Sequence, residues 1–223
     1  MLLLKEKFIK PLVAVSTRNS ATRFSVADSG VATLELSSPK RANVLDRELM
    51  RSLQENIADI RQQECNLIIL KSSQDGVFCA GMDLAEFYNR SDNDIREYAD
   101  LIADFWQDTY LCPLPIIALI NGSAIAGGCV LAACCDYRIM VDNPKYRIGV
   151  PDTKFGVYPP QHFISVLANL MGTREAERSL QIGKLYNGRE ALKVGLIGVS
   201  SKNIYLFRHF SSRKCCIFKT WYR

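Results

Sequence analysis

Two glycine-rich stretches carry the residue types and spacing best suited to chemistry: Val77-Phe-Cys-Ala-Gly-Met-Asp-Leu84 and Asn121-Gly-Ser-Ala-Ile-Ala-Gly-Gly-Cys129. Glycine lets a backbone N–H approach a ligand that a Cβ would hold off, and a helix starting at such a turn adds partial positive charge. Two N–H groups converging on one carbonyl oxygen would form an oxyanion hole, stabilising negative charge as it develops there. Taken singly, each stretch also has a plain structural reading. Gly127-Gly128 would allow tight helix packing, and Ala80-Gly81 would be an ordinary turn. Neither fits a nucleotide site, because the chain has no G-x-G-x-x-G and no G-x-x-x-x-G-K-[ST].

The elements that must position these turns follow from hydrophobic period. Phe24-Ser-Val-Ala and Val31-Ala-Thr-Leu-Glu-Leu alternate around Asp28-Ser-Gly30, which predicts a hairpin. Ser37 to Asn43 reads as a loop, and Asp46 is placed to cap a helix whose Leu49, Leu53, Ile57 and Ile60 share one face. Asn66 to Leu70 and Ile116 to Ile120 are apolar runs of the kind buried on both faces of a parallel sheet. Between them lie a loop to Leu84 and a helix from about Asp92 to Tyr110. Beyond them come a small-residue helix over Ala126–Ala133, strands at Tyr137–Val141 and Tyr146–Val150, and helices over 160–171, 174–182 and 189–194. Strand and helix in alternation predict an α/β domain with a largely parallel sheet, and no internal repeat is visible in the sequence.

Composition excludes several function classes. Apolar residues at 48% and charged residues at 23% suit a globular enzyme. The longest apolar run, Leu111 to Ile120, falls well short of the roughly 20 residues that span a bilayer. The net charge of +5 resides at the two ends, and the stretch between them is mildly acidic, the reverse of a nucleic-acid-binding body. Residues 1–23 are apolar, basic and hydroxylated with one acid, Glu6, and read as a mitochondrial transit peptide or an amphipathic surface segment. Residues 199–223 hold no acid and form an atypical basic tail, which reads either as an interaction tail or as sequence not selected to pack. The eight cysteines form no Cys-x-x-Cys and have two histidines, His162 and His209, as partners for a metal, so small buried thiols are expected rather than a metal site.

Phe78-Cys-Ala-Gly-Met-Asp-Leu84 resembles the F-x-A-G-x-D-L signature of the enoyl-CoA hydratase/isomerase (crotonase) family. Asn121 to Cys129, continuing to Cys135-Asp-Tyr-Arg-Ile139, resembles its N-G-x-A-x-x-G-G stretch and the C-D-x-R that follows. Gly149-Val-Pro-Asp-Thr-Lys-Phe-Gly156 is similar to the segment holding the family's second catalytic carboxylate, and Pro39-Lys-Arg-Ala-Asn43 to its CoA-contacting turn. The motifs keep family order from about residue 24 to 198.

The resemblance implies a ββα spiral, here with the family's C-terminal helical part truncated, and assembly as trimers or pairs of trimers. It implies an acyl-CoA thioester substrate held by Lys40, Ala42, Ala80, Gly81, Met82, Asp83, Leu84, Gly127 and Pro151, with the Met82 and Gly127 amides as oxyanion hole. Val130 stands where the family's hydratases carry their first glutamate, so hydration is not expected; the isomerase branch, which moves a 3-enoyl double bond to 2-trans, keeps the later carboxylate alone. That position here is Asp152, where the isomerases carry glutamate; with roughly 1.5 Å less reach it reads as a weakened base, a base in a readjusted loop, or a cap of its loop. The reaction implied needs no metal or redox cofactor, since CoA arrives with the substrate. Asp83 is expected to brace its turn, Asp136 and Arg138 to form a structural pair, and His162, Phe105 and Trp106 to pack in the core.

Overall fold

The computed structural model describes residues 15–16, 21–38 and 42–202. Most of the expected transit peptide, Lys40 of the expected CoA-contacting turn, and the tail beyond Lys202 lie outside these. The chain opens with three antiparallel strands, β1 (Val15–Ser16), β2 (Thr22–Val26) and β3 (Val31–Leu36). Gly30, at φ 76, closes the turn between β2 and β3. There follow β4 (Val44–Leu45), α1 (Arg47–Arg61), β5 (Leu67–Ser72), β6 (Gly76–Cys79), β7 (Gly81–Met82), a 3-10 turn at Leu84–Phe87 and α2 (Asp92–Tyr110). Next come β8 (Ile116–Ile120), β9 (Gly122–Ile125), α3 (Gly127–Cys134), β10 (Tyr137–Val141) and β11 (Ile148–Gly149). A 3-10 turn at Asp152–Phe155, α4 (Gln161–Met171), α5 (Thr173–Gln181), α6 (Gly188–Lys193) and β12 (Val199–Ser201) complete the described chain.

A seven-stranded sheet runs β1-β2-β3-β5-β8-β10-β12, parallel from β3 onward. A second sheet of three parallel strands runs β11-β9-β6, and β4 pairs with β7. The chain therefore repeats one unit: a strand in the large sheet, a strand in the small one, then a helix. This ββα spiral agrees with the predicted fold class.

Local chemistry accounts for the helices. The Asp46 carboxylate caps α1 by accepting from Leu49 N at 2.8 Å, and Leu49, Leu53, Ile57 and Ile60 are buried along one face. Ser91 caps α2, whose first turn carries Asp92 and Asp94 toward the positive end of the helix dipole. Pleat alternation splits the large sheet's core. Ile68, Leu70, Ala118 and Ile120 face the helices, whereas Leu67, Ile69, Ile117, Leu119 and Ile139 form a second cluster on the opposite face.

Three expectations are corrected. The stretch before Leu84 is not all loop: it contains β6 and β7, too short to announce themselves by alternation. The ordered sheet also exceeds residues 24–198. Thr22 begins β2, and Val199–Ser201 pairs in parallel with β10, satisfying edge amides that would otherwise be unpaired. Finally, Asp136 and Arg138 do not pair with each other. Asp136 accepts from Ile116 N at 2.8 Å, and Arg138 donates to the Leu196 carbonyl at 3.0 Å and the Cys135 carbonyl at 2.5 Å. Both remain structural, as backbone staples.

Candidate active site

Three turns leave the carboxyl ends of the three adjacent parallel strands of the small sheet, where open α/β folds place ligands. After β6 the chain passes exposed Ala80 into Gly81-Met82, and after β9 it passes Ala126 into α3. After β11 it passes buried Pro151 to Asp152. Pairing of β6 with β9 and of β9 with β11 brings the three turns to one edge.

The two glycine-rich turns touch. Gly81 holds φ +102, and a Cβ there would lie 2.8 Å from the Ile125 carbonyl oxygen and 3.2 Å from the Gly127 nitrogen. A Cβ on Gly127 would lie 3.1 Å from Met82 Cγ, and one on Gly128 would fall 2.2 Å from the Cys79 carbonyl oxygen. Glycine is required here for backbone to approach backbone. The α3 helix begins at Ala126, whose φ of 52° and ψ of −123° are strained for a residue with a Cβ. No side chain caps this start. The first intrahelical bonds run from Cys129 N and Val130 N to the Ala126 carbonyl, which leaves the Gly127 amide ahead of the hydrogen-bond ladder. Just past β7, Asp83 N donates to the Leu45 carbonyl at 3.3 Å. Successive strand amides alternate in direction, so the Met82 amide faces away from β4.

Asp152 opens the 3-10 turn at Asp152–Phe155, which Thr153 ties to the Leu180 carbonyl through its hydroxyl at 2.8 Å. Ala126 N donates to the Gly149 carbonyl at 2.9 Å, binding the Asp152 segment to the start of α3. Asp152 is half-buried, and burial raises its carboxyl pKa, opposed by its own backbone amide. The Cys129 thiol in the first turn of α3 is buried and pushed up to about 12, chiefly by desolvation, with the Asp152 charge contributing. Val130 is fully buried in α3 and offers no polar group.

The remaining expected residues fall as follows. Ala42, at φ 52, accepts from Ala80 N at 3.1 Å through its carbonyl, joining the 38–43 loop to the first glycine turn. Asp83 is buried and accepts from Ala85 N at 3.0 Å, the expected brace. Leu84 is 61% exposed beside this edge. His162 packs on Phe163 and on Trp106, its Nε2 is buried with no partner among the described residues, and burial lowers its pKa.

The sequence placed Asn43 only at the end of the expected CoA-contacting turn and gave Tyr98 no role. Buried Asn43 donates to Ser72 Oγ at 2.8 Å and to the Phe78 carbonyl at 3.0 Å, clasping the loop to β5 and β6. It holds a left-handed φ of 52°, which asparagine tolerates better than most residues. Tyr98 reaches the β4–β7 pair from α2, a long-range contact with no local signature.

Residues 26–203 match the enoyl-CoA hydratase/isomerase family. The chain belongs to that family. Among curated members, mouse mitochondrial enoyl-CoA delta isomerase 1 is 39% identical over 170 residues, 76% of this chain and 58% of the relative. The human protein of that name is 37% identical over 172 residues, 77% of this chain and 57% of the relative. A probable mitochondrial enoyl-CoA hydratase 2 of Arabidopsis thaliana is 29% identical over 178 residues, 79% of this chain and 58% of that protein. The crystal structure of human mitochondrial delta3-delta2-enoyl-CoA isomerase superposes with a TM-score of 0.79 at 33% identity, covering 86% of this chain and 73% of that one. The chain thus spans somewhat under three fifths of the length of these curated family members. Among the described residues, no helix is long and apolar enough to cross a membrane.

Proposed function

We propose that this family member is an enoyl-CoA delta isomerase, moving the double bond of a 3-enoyl-CoA to the 2-trans position in the oxidation of unsaturated fatty acids. The observation that carries the reading is one half-buried carboxylate, Asp152, on the same sheet edge as two glycine turns in contact, with valine rather than a second acid at 130. The Asp152 carboxylate takes a proton from C2 of the substrate. The electron pair shifts toward the thioester, and the charge on its oxygen is held by the Met82 and Gly127 amides. The same carboxyl then returns the proton to C4, leaving C2=C3 and no net change of atoms. One carboxyl suffices because it both accepts and donates, and neither metal nor redox cofactor is needed. CoA would lie along the Ala80–Leu84 turn, Ala42 and Lys40, with Pro151 at the acyl side.

The mitochondrial names of relatives support a mitochondrial location, which we read as the matrix, and the assembly implied by the family resemblance is a trimer. The test is to follow formation of conjugated product from a 3-cis-enoyl-CoA with the purified chain, comparing Asp152→Asn and Asp152→Glu. Turnover undiminished in Asp152→Asn would refute the assignment of the base.

A second reading is a silent acyl-CoA binder or hetero-oligomer partner, favoured by the short carboxylate Asp152. Binding of acyl-CoA without turnover, in the chain and in Asp152→Glu alike, would decide for it.

A further inference from the structure

The Leu45 carbonyl on β4 accepts two donors: the Asp83 amide at 3.3 Å and the hydroxyl of Tyr98 at 2.8 Å. One fully buried hydroxyl from α2 thus holds the β4 carbonyl that also receives the amide one residue beyond Met82. We propose that Tyr98 is a positioning residue that aims the Met82 amide at the thioester oxygen. The proposal rests on the function proposed above.

Each strand of the β4–β7 pair is two residues long, too short to hold its own orientation by a ladder. Gly81 beside it sits at φ +102, where glycine turns freely. Rotation of β7 would swing the Met82 amide off its target, and hydrogen bonds weaken steeply as their angle falls. Tyr98 opposes that rotation because its ring is itself held on two sides. Phe87 meets it edge-on at 5.1 Å, and the Arg47 guanidinium lies 5.2 Å from its centroid. Arg47 in turn bonds Glu86 at 3.0 Å and the Asp94 carbonyl at 2.7 Å. The start of α1, the 3-10 turn and α2 are thereby locked around one hydroxyl, and burial raises the pKa of that phenol, keeping it a donor.

The experiment uses the full chain and two CoA thioesters. Saturated butyryl-CoA reads ground-state binding, and acetoacetyl-CoA, whose enolate absorbs in the near ultraviolet, reads stabilisation of the charged oxygen. Tyr98→Phe removes the hydroxyl and keeps the ring. The bound enolate fraction should fall about ten-fold, less than the loss of an oxyanion donor outright, with butyryl-CoA affinity within about two-fold. Thr109→Val is the control: it removes another buried hydroxyl of α2, bonded to the Phe105 carbonyl at 2.8 Å, and should leave the enolate unchanged. Enolate retained in Tyr98→Phe, or lost equally in Thr109→Val, overturns the positioning role and leaves the proposed function standing. No enolate with the unsubstituted chain overturns both. Should Tyr98→Phe fail to fold, hydrogen exchange on the unsubstituted chain decides: the Asp83 amide must exchange more slowly than that of Met82, and the reverse order overturns the clamp.

Discussion

Asp152 is a carboxylate whose environment opposes its charge. Burial raises its pKa above the ordinary 3.8, so its base form is lost on acidification at a higher pH than for a free aspartate. The acid limb of the kcat/KM profile should therefore lie above 3.8, and an inflection at or below that value would show that another group is the base. The linkage to stability has the opposite sense. A raised folded pKa means that the group's favourable contribution is complete below the unfolded pKa and is lost as pH rises through the folded one. Asp152→Asn should hence be no less stable than the parent at neutral pH while losing on the order of 10² or more in turnover, read by chemical denaturation and product formation together. Asp152→Glu restores the methylene and should raise turnover, since about 1 Å of misplacement is worth on the order of 10² in rate. Glu35 is the contrary case. Burial alone would raise its pKa, but bonds from Lys71 and Arg23 outweigh it and the net shift is downward. Its contribution is present above 4.5 and lost as pH falls through the lowered value, so Glu35→Gln should flatten acid unfolding in that window.

At the scale of elements, the site depends on how closely α3 approaches β6. All eight residues of α3 are buried and small or apolar, and Gly128 lies where a Cβ would meet the Cys79 carbonyl carbon at 2.7 Å as well as its oxygen. The obstacle is backbone, which cannot rotate away. Gly128→Ala should push α3 outward and destabilise the fold by about 2 kcal/mol or more, measured by urea denaturation; a loss below about 0.5 kcal/mol would contradict this packing. The α1 start is a milder case. Asp46→Ala removes the cap on Leu49 N and should cost about 1 kcal/mol without altering butyryl-CoA affinity. The hydrophobic period made α1, α2, β5 and β8 legible, because each buries a regular face or a continuous run. It showed a strand over Tyr146–Val150, of which Ile148–Gly149 forms β11, but not β4 or β7, whose two residues hold no period although they adjoin the first turn of the site.

For the whole molecule, burial sets the behaviour of the thiols. Cys79, Cys129 and Cys134 are each pushed up to about 12 by desolvation, and Cys135 is raised as well. These four should resist alkylation in the folded chain and react together on unfolding, whereas partly exposed Cys65 and Cys112 react earlier; peptide mass spectrometry would distinguish them. Independent early labelling of Cys129 would mean that α3 opens locally. The amino-acid sequence alone determined the α/β class, the order of the major helices and strands, and which residue types could carry charge or expose an amide. Those properties depend on period and on side-chain chemistry, which are local. Tertiary structure decided the rest: that three turns separated by tens of residues share one sheet edge, that Asp136 and Arg138 hold backbone instead of each other, and that Tyr98 grips Leu45. Each of these is a contact between distant residues. Its formation is fixed by how the sheets pair and how far the helices can approach, and no window along the chain contains that information.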